Sequence, residues 1–463
     1  MRKSFLFMDL LRIKPDERAA GLVINGSRLA ASVNRERYWT GRREPQRRSM
    51  PFIVHHAFAM SFVHCKIGIP IMRFRNSLLL GAFVSLGSAS LGLAQAAPAA
   101  PPSIPGLPPG MTLPPRTPND SLVSPEVSKD GRVTFRIYAP HAKSVQIRGE
   151  FMDWGKPAPQ LVMSSDGVWS LTTEPLASGA YRYTFIVDNV VVLDSKNTST
   201  SASASGVESL VEVSTSADDF QANRTDIPHG AIATAYYFSQ VAGRQRRLHL
   251  YLPPGYEKGQ NYPVLYLIHG GGDSDDSWPT VGRAGFIMDN LIADGKAKPM
   301  IVVFPDGGVN GMQPMTGDPD KDPFTSDLMT AIIPYIQANY KASPNPEMRA
   351  LAGLSMGGIQ TLNIGLTHTA DFRYLGVFSS GWFPPGQQEF MQKYGSTLQQ
   401  ETSRLKLLWY SYGDTDIARP QAETILKIFD EHGVKYRTEM TPGGHTWTNW
   451  RLYLSQFAPL LFK

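Results

Sequence analysis

Arg349-Ala350-Leu351-Ala352-Gly353-Leu354-Ser355-Met356-Gly357-Gly358-Ile359 decides how the second half of the chain is read. After one arginine the stretch runs apolar, as expected of a strand buried on both faces of a parallel sheet. It then passes through Gly353-Leu354-Ser355-Met356-Gly357, a G-x-S-x-G motif, into a segment with helical character that begins near Gly357. Strand, sharp turn and helix are the context of a nucleophile elbow. Such a turn forces the serine into a strained, exposed position. Glycines on both sides remove side chains that would clash, and the helix N-terminus favours developing negative charge. Ser355 is the candidate nucleophile.

Strand–helix alternation extends from this stretch in both directions, from about residue 229 to 463. Candidate strands are Arg247–Leu252, Tyr262–Ile268, Met300–Phe304, Arg349–Leu354, Leu375–Ser379, Leu405–Tyr412 and Lys435–Met440. Candidate helices are Ser326–Tyr340, Gly357–Thr367, Pro420–His432 and Trp447–Phe462. The alternation predicts a three-layer α/β/α domain.

A serine nucleophile needs a base. In hydrolases of this fold the order along the chain is Ser, then Asp or Glu, then His. His445 follows the last candidate strand in the loop Pro442-Gly443-Gly444-His445 and fits as general base; His269 ends an inner strand and is expected to shape the loop it begins. Asp414 and Asp416 compete for the acid, both in the turn Gly413-Asp414-Thr415-Asp416. Asp416 is preferred, being further into the turn, where its side chain can point back to the histidine. Its task would be to fix the imidazole tautomer and stabilise imidazolium. Asp414 is the turn-capping alternative. In His269-Gly270-Gly271-Gly272 the glycines let backbone N–H groups face a reacting carbonyl. The N–H groups of Gly271 and Met356 are the candidate oxyanion hole.

These motifs, with Pro253-Pro254-Gly255-Tyr256, Pro305-Asp306-Gly307 and Ile333-Pro334-Tyr335, come in the order of the esterase D-like family. That family includes the feruloyl and acetylxylan esterases of carbohydrate esterase family 1, enterochelin esterases and mycolyltransferases. The resemblance covers about residues 229–463 and implies an α/β-hydrolase. With the segment before it, the chain looks most like the two-domain feruloyl-esterase type.

That preceding segment, about 120–216, reads as short strands between turns. Val133–Tyr138, Ser144–Arg148 and Tyr181–Phe185 alternate apolar and polar residues, and Asp130-Gly131, Asp166-Gly167 and Asp188-Asn189 sit at turn positions. This predicts an immunoglobulin-like β-sandwich. Gly149–Trp154, Gly167-Val168-Trp169 and Gly179–Tyr183 resemble the early-set sandwich related to carbohydrate-binding family 48. In that family exposed tryptophans hold glucan, so Trp154 and Trp169 could do so, or else belong to the core. The Ser/Thr/Ala run Asn197–Ser205 reads as loop and 217–228 as linker.

The front of the chain differs. Residues 1–71 hold 13 Lys+Arg, 5 Asp+Glu and the only cysteine, Cys65. Residues 72–96 then read as a secretory signal peptide: a basic start at Met72-Arg73-Phe74-Arg75, a short apolar run and the small-x-small site Ala94-Gln95-Ala96. The expectation is that translation starts at Met72, that 1–71 is a non-native extension, and that the mature chain is secreted or periplasmic. Residues 97–119 are a Pro-rich linker, with nine prolines between positions 98 and 118. The +5 net charge resides in the front segments, and the remainder carries about −5. A nucleic-acid partner is therefore not expected, nor a membrane span once the signal is removed.

No cofactor is expected, and no metal: Asp318, Asp320 and Asp322 alternate, but Pro323 and Met329 stand where a calcium loop needs Gly and Glu. Trp382 and Trp447 are candidate substrate-binding residues, able to stack on an aromatic acyl group or a sugar. The reading is a secreted serine carboxylesterase acting on feruloyl or acetyl esters of plant-wall polysaccharide, with acylated polysaccharide or oligosaccharide as substrate. The alternatives are a siderophore esterase of the enterochelin type, disfavoured by the lack of an Arg/Lys cluster beside the motifs, and a carbohydrate-binding protein with an inactive hydrolase domain. The sandwich is expected to dock or orient substrate rather than supply chemistry.

Overall fold

The computed structural model describes residues 115–152, 155–216, 219–311 and 316–463. The expected signal peptide, the Met72 start and Trp154 lie outside these residues. Among the described residues, no helix is long and apolar enough to cross a membrane.

The C-terminal half is an α/β-hydrolase. Eight strands form one sheet in the order Ala231–Ser239, Arg244–Leu252, Ile301–Pro305, Val264–Ile268, Arg349–Leu354, Tyr374–Phe378, Leu407–Gly413 and Arg437–Thr441. The first three pair antiparallel; from Ile301–Pro305 onward every pairing is parallel. The inner strands are continuous apolar runs because both faces are covered. Successive side chains point to opposite faces, so Val264, Tyr266 and Ile268 enter one core while Leu265 and Leu267 enter the other. Helix Arg419–Glu431 closes the first layer through Ile425 and Phe429. Helices Ala284–Ala293 and Trp447–Phe457 close the second through Ile287, Leu291, Trp450 and Leu454.

Ahead of it lies a β-sandwich. One sheet holds Glu126–Val127, Val133–Tyr138, Val168–Thr172 and Val162–Met163; the other is built on Val145–Gly149, Gly179–Val187, Gly206–Val213 and Thr200–Ser203. Phe135, Ile147, Trp169, Tyr183, Phe185 and Val211 fill the space between them. Trp169 is thus a core residue, with its indole N–H donating to the Ala139 carbonyl at 2.9 Å. The Ser/Thr run expected as loop contains the strand Thr200–Ser203. Its polar residues conceal it from an alternation test, because it faces hydrogen-bonding partners rather than oil.

Those partners belong to the hydrolase. Ala180 and Leu210 of the sandwich pack into the hydrolase core that holds Trp447 and Trp450. Arg451, fully buried, donates to the carbonyls of Ala180 and Val281 at 3.1 and 2.9 Å, and Arg283 pairs with Glu212 at 2.6 Å.

Candidate active site

The strand Arg349–Leu354 ends at Ser355, where φ is 50° and ψ −114°. A side chain so placed costs about 1–3 kcal/mol and persists only where the surroundings dictate it. Here they do. A Cβ at Gly353 would fall on the Gly357 carbonyl, and one at Gly357 on the carbonyls of His269 and Ile268. The elbow therefore closes only with glycine at both positions. Helix Met356–Thr367 starts immediately after the serine.

Three predicted residues meet there. The His445 Nε2 is 3.0 Å from the Ser355 hydroxyl, and the His445 Nδ1 is 2.8 Å from Asp416 Oδ1. The same oxygen accepts from the Ala418 N–H at 2.8 Å. Asp416's side chain is wholly buried. Burial alone would raise its pKa, but the hydrogen bond and charge of His445 outweigh this and hold the carboxyl below its ordinary value. The rival, Asp414, points elsewhere: its Oδ1 accepts from the Gly443 N–H at 2.9 Å and pins the loop that carries His445.

The loop after strand Val264–Ile268 passes beside the serine. The Gly270 carbonyl accepts from the Asp273 N–H at 3.2 Å and lies 2.8 Å from His269 Nδ1. His269 sits at the root of the loop, and its Nε2 lies 3.0 Å from the Gly307 N and 3.2 Å from Asp306 Oδ1. Gly271 lines the same cleft as Ser355, and Met356 follows Ser355 as the first residue of the helix.

A cleft of about 570 Å³ opens over Ser355 and His445. Gly270, Gly271, Trp447 and Trp450 form part of its wall, and the ring of Trp450 stands at 90° to His445 with 5.0 Å between centroids. Trp447 therefore reaches the cleft as expected. Trp382 does not. It is 2 % exposed, stacks on Phe390 and donates its indole N–H to Asn363 at 2.7 Å, which makes it a core residue. Its position after a strand end suggested the cleft, but the chain turns inward there to seat the helix Pro384–Tyr394.

The sandwich supplies the opposite wall, including Arg148, Glu150, Met152, Arg182 and Glu208. No sequence motif announces this, since the residues come from separate strands of another lobe. It also revises the expectation that cations are absent beside the motifs: Arg148, Lys156 and Arg182 all line the cleft. Arg182 is matched by Asp273 at 2.6 Å and by Glu150 at 3.5 Å. Burial pushes the Glu150 carboxyl up to about 7 against the pull of Arg182, while its side chain keeps 31 % exposure and so stays in contact with solvent.

Among the described residues, no group of three or more His, Cys, Asp or Glu could hold a metal. Asp318 and Asp320 pair with Lys393, and Asp322 accepts from the Phe324 N–H to start a helix.

Residues 239–461 match the family described as "Putative esterase". That match covers just under half of the chain. Residues 123–201 match carbohydrate-binding module 48. The "Endo-1,4-beta-xylanase/feruloyl esterase" of Xylanibacter ruminicola is 34 % identical over 347 residues, which span 73 % of this chain and 46 % of that protein. "Esterase Rv1288" of Mycobacterium tuberculosis is 32 % identical over 165 residues, 35 % of this chain and 34 % of that one. The chain thus spans less than half the length of these relatives. The crystal structure of ferric enterobactin esterase from Salmonella typhimurium has a TM-score of 0.50 at 17 % identity, covering 72 % of this chain and 95 % of that one. At that identity the likeness is one of fold.

Proposed function

We propose that the protein is a serine carboxylesterase that cleaves feruloyl or acetyl esters from plant-wall polysaccharide. The observation that carries the reading is the hydrogen-bonded series Ser355–His445–Asp416 opening onto a cleft. The similarity to a xylanase/feruloyl esterase over 73 % of the chain supports the substrate class.

In this reading His445 takes the proton of Ser355 as the hydroxyl oxygen attacks the ester carbonyl carbon. The new C–O bond pushes the carbonyl electrons onto oxygen, where the N–H groups of Gly271 and Met356 receive them. The tetrahedral species collapses by breaking the bond to the alcohol oxygen, and His445 returns the proton to that leaving group. Water, deprotonated by His445, then releases the acid from Ser355. Asp416 keeps the imidazole in the tautomer that leaves Nε2 free to accept. The imidazolium gives the wholly buried carboxylate a counter-charge that the Ala418 N–H does not supply. Trp447 and Trp450 offer apolar faces to an aromatic acyl group, and the sandwich wall faces the sugar. The expected signal peptide at 72–96 goes with a polymer substrate met outside the cell.

The test is a panel of methyl ferulate, acetylated xylan and ferric enterobactin with one purified sample, alongside Ser355→Ala. Turnover of either plant-wall ester, lost in Ser355→Ala, is the expected result. Turnover of ferric enterobactin alone would replace the substrate class. Turnover surviving in Ser355→Ala would overturn the mechanism.

A further inference from the structure

The loop Gly270–Thr280 receives contacts from the sandwich along its length. Ala204 donates its backbone N–H to the Gly272 carbonyl at 3.0 Å. The hydroxyl of Ser274 donates to the Ala202 carbonyl at 2.9 Å, and the Ala202 N–H donates to Asp276 at 2.6 Å. Beneath these lies Arg182, whose side chain is 5 % exposed. Its Nη1 donates to Asp273 Oδ1 at 2.6 Å, its Nη2 to Ser277 Oγ at 2.7 Å, and its Nε to Ser201 Oγ at 2.9 Å. The guanidinium thus ties two points of the loop to the strand Thr200–Ser203. From the hydrolase side the same loop is gripped at Gly270, by His269 and the Asp273 N–H. Gly271 lies between the two anchors, and with Gly272 at φ +83° the backbone there has no side chain to fix its direction.

We propose that Arg182 of the sandwich is a positioning residue for ester cleavage: through Asp273 and Ser277 it holds the Gly270–Asp273 loop so that the Gly271 N–H faces the oxygen developing beside Ser355. This rests on the esterase reading. Arg182 acts through the loop rather than on substrate: its side chain is 5 % exposed, and its guanidinium is held by Asp273, Ser277, Ser201 and, at 3.5 Å, Glu150. The sandwich is then part of the catalytic frame even for esters too small to touch it. The balance of effects follows from the geometry. A lost oxyanion donor costs about 10²–10³ in kcat, and a donor displaced by about 1 Å costs up to about 10². A loosened loop should therefore lower kcat by roughly 10- to 100-fold. Substrate binding should change little, because Arg182, though it lines the cleft, exposes only 5 % of its side chain.

The experiment compares the full chain with Arg182→Ala, Asp273→Asn and the double variant on methyl ferulate, with thermal melts to confirm folding. Expected are a kcat roughly 10- to 100-fold lower with KM changed less than about threefold, and a double variant no worse than Arg182→Ala. Added guanidinium should restore part of the Arg182→Ala kcat where equal sodium chloride does not. Asp273→Asn keeps the shape of the carboxylate but removes the counter-charge that holds the buried guanidinium, so it reports even if Arg182→Ala fails to fold. A folded Arg182→Ala or Asp273→Asn with native kcat would overturn the inference, as would a rise in KM at native kcat. An inactive unaltered chain would instead overturn the esterase reading and this inference with it.

Discussion

Asp416→Asn is the most informative single change in the site. Asp416 Oδ1 accepts from both the Ala418 N–H and the His445 ring, and no part of the side chain reaches water. Asparagine fits the same space but offers one acceptor and two donors where the carboxylate offers acceptors alone. If its NH₂ faces His445, the imidazole must place its proton on Nε2, which can then no longer accept from Ser355. If its oxygen faces His445, the tautomer survives but the imidazolium loses its counter-charge. The corresponding exchange in a serine protease lowers kcat by about 10⁴, or about 5–6 kcal/mol at 1.36 kcal/mol per decade. A similar fall is expected here at unchanged fold. Asp414→Asn is the paired measurement. Its Oδ1 receives the Gly443 N–H, and asparagine can still do so, so kcat should stay within about threefold. Both are read from initial rates on methyl ferulate at fixed pH, with melts to exclude misfolding. An Asp416→Asn enzyme keeping more than about a tenth of native kcat, or an Asp414→Asn enzyme falling further, would refute the assignment of the acid.

Gly357→Ala should lower both stability and kcat, because the added methyl meets the backbone carbonyls of His269 and Ile268, which cannot step aside; a thermal melt and Ser355 labelling by a fluorophosphonate read the two effects. Arg246→Met should cost about 3–5 kcal/mol in urea unfolding, since it strips the wholly buried Asp327 of its guanidinium partner; a loss under about 1 kcal/mol would refute that account. Glu150 has a folded pKa raised to about 7, so this group lowers stability as pH climbs from the unfolded carboxylate range through 7. Glu150→Gln should therefore gain melting temperature over the native chain at pH 8 but not at pH 4, and an equal offset at both would contradict the shift.

The elbow and its histidine were legible because each depends on local constraint. Gly353 and Gly357 leave room that no other residue leaves, and His445 sits in a short glycine loop after the last strand. Asp416 was harder, because Asp414 two residues earlier differs only in which way the turn aims it. The inner strands announce themselves by unbroken apolar runs. The edge strand Ala231–Ser239 does not: Ile232, Tyr236 and Phe238 face outward, so burial never sharpens its pattern. Helix Pro384–Tyr394 is polar over most of its surface and escaped for the same reason. Trp382 shows that proximity to a strand end does not set the direction of a side chain. Least legible was the sandwich wall of the cleft. Glu150, Arg182 and Ser203 meet residues about 60 to 300 positions away, and neither periodicity nor local spacing carries that distance.

The polar strand Thr200–Ser203 has a further consequence for how the chain is assembled. During synthesis its outer edge is complete roughly 75 residues before Asp276 and Thr280 exist to cover it, several seconds at ~5–20 residues per second. An open strand edge invites pairing with other chains. Serine and threonine at Thr200, Ser201 and Ser203 leave water as an adequate temporary partner, whereas valine or isoleucine there would present a sticky ribbon. The composition that hides the strand from a reader thus also shields it while it waits for the residues that will bury Ser201 completely.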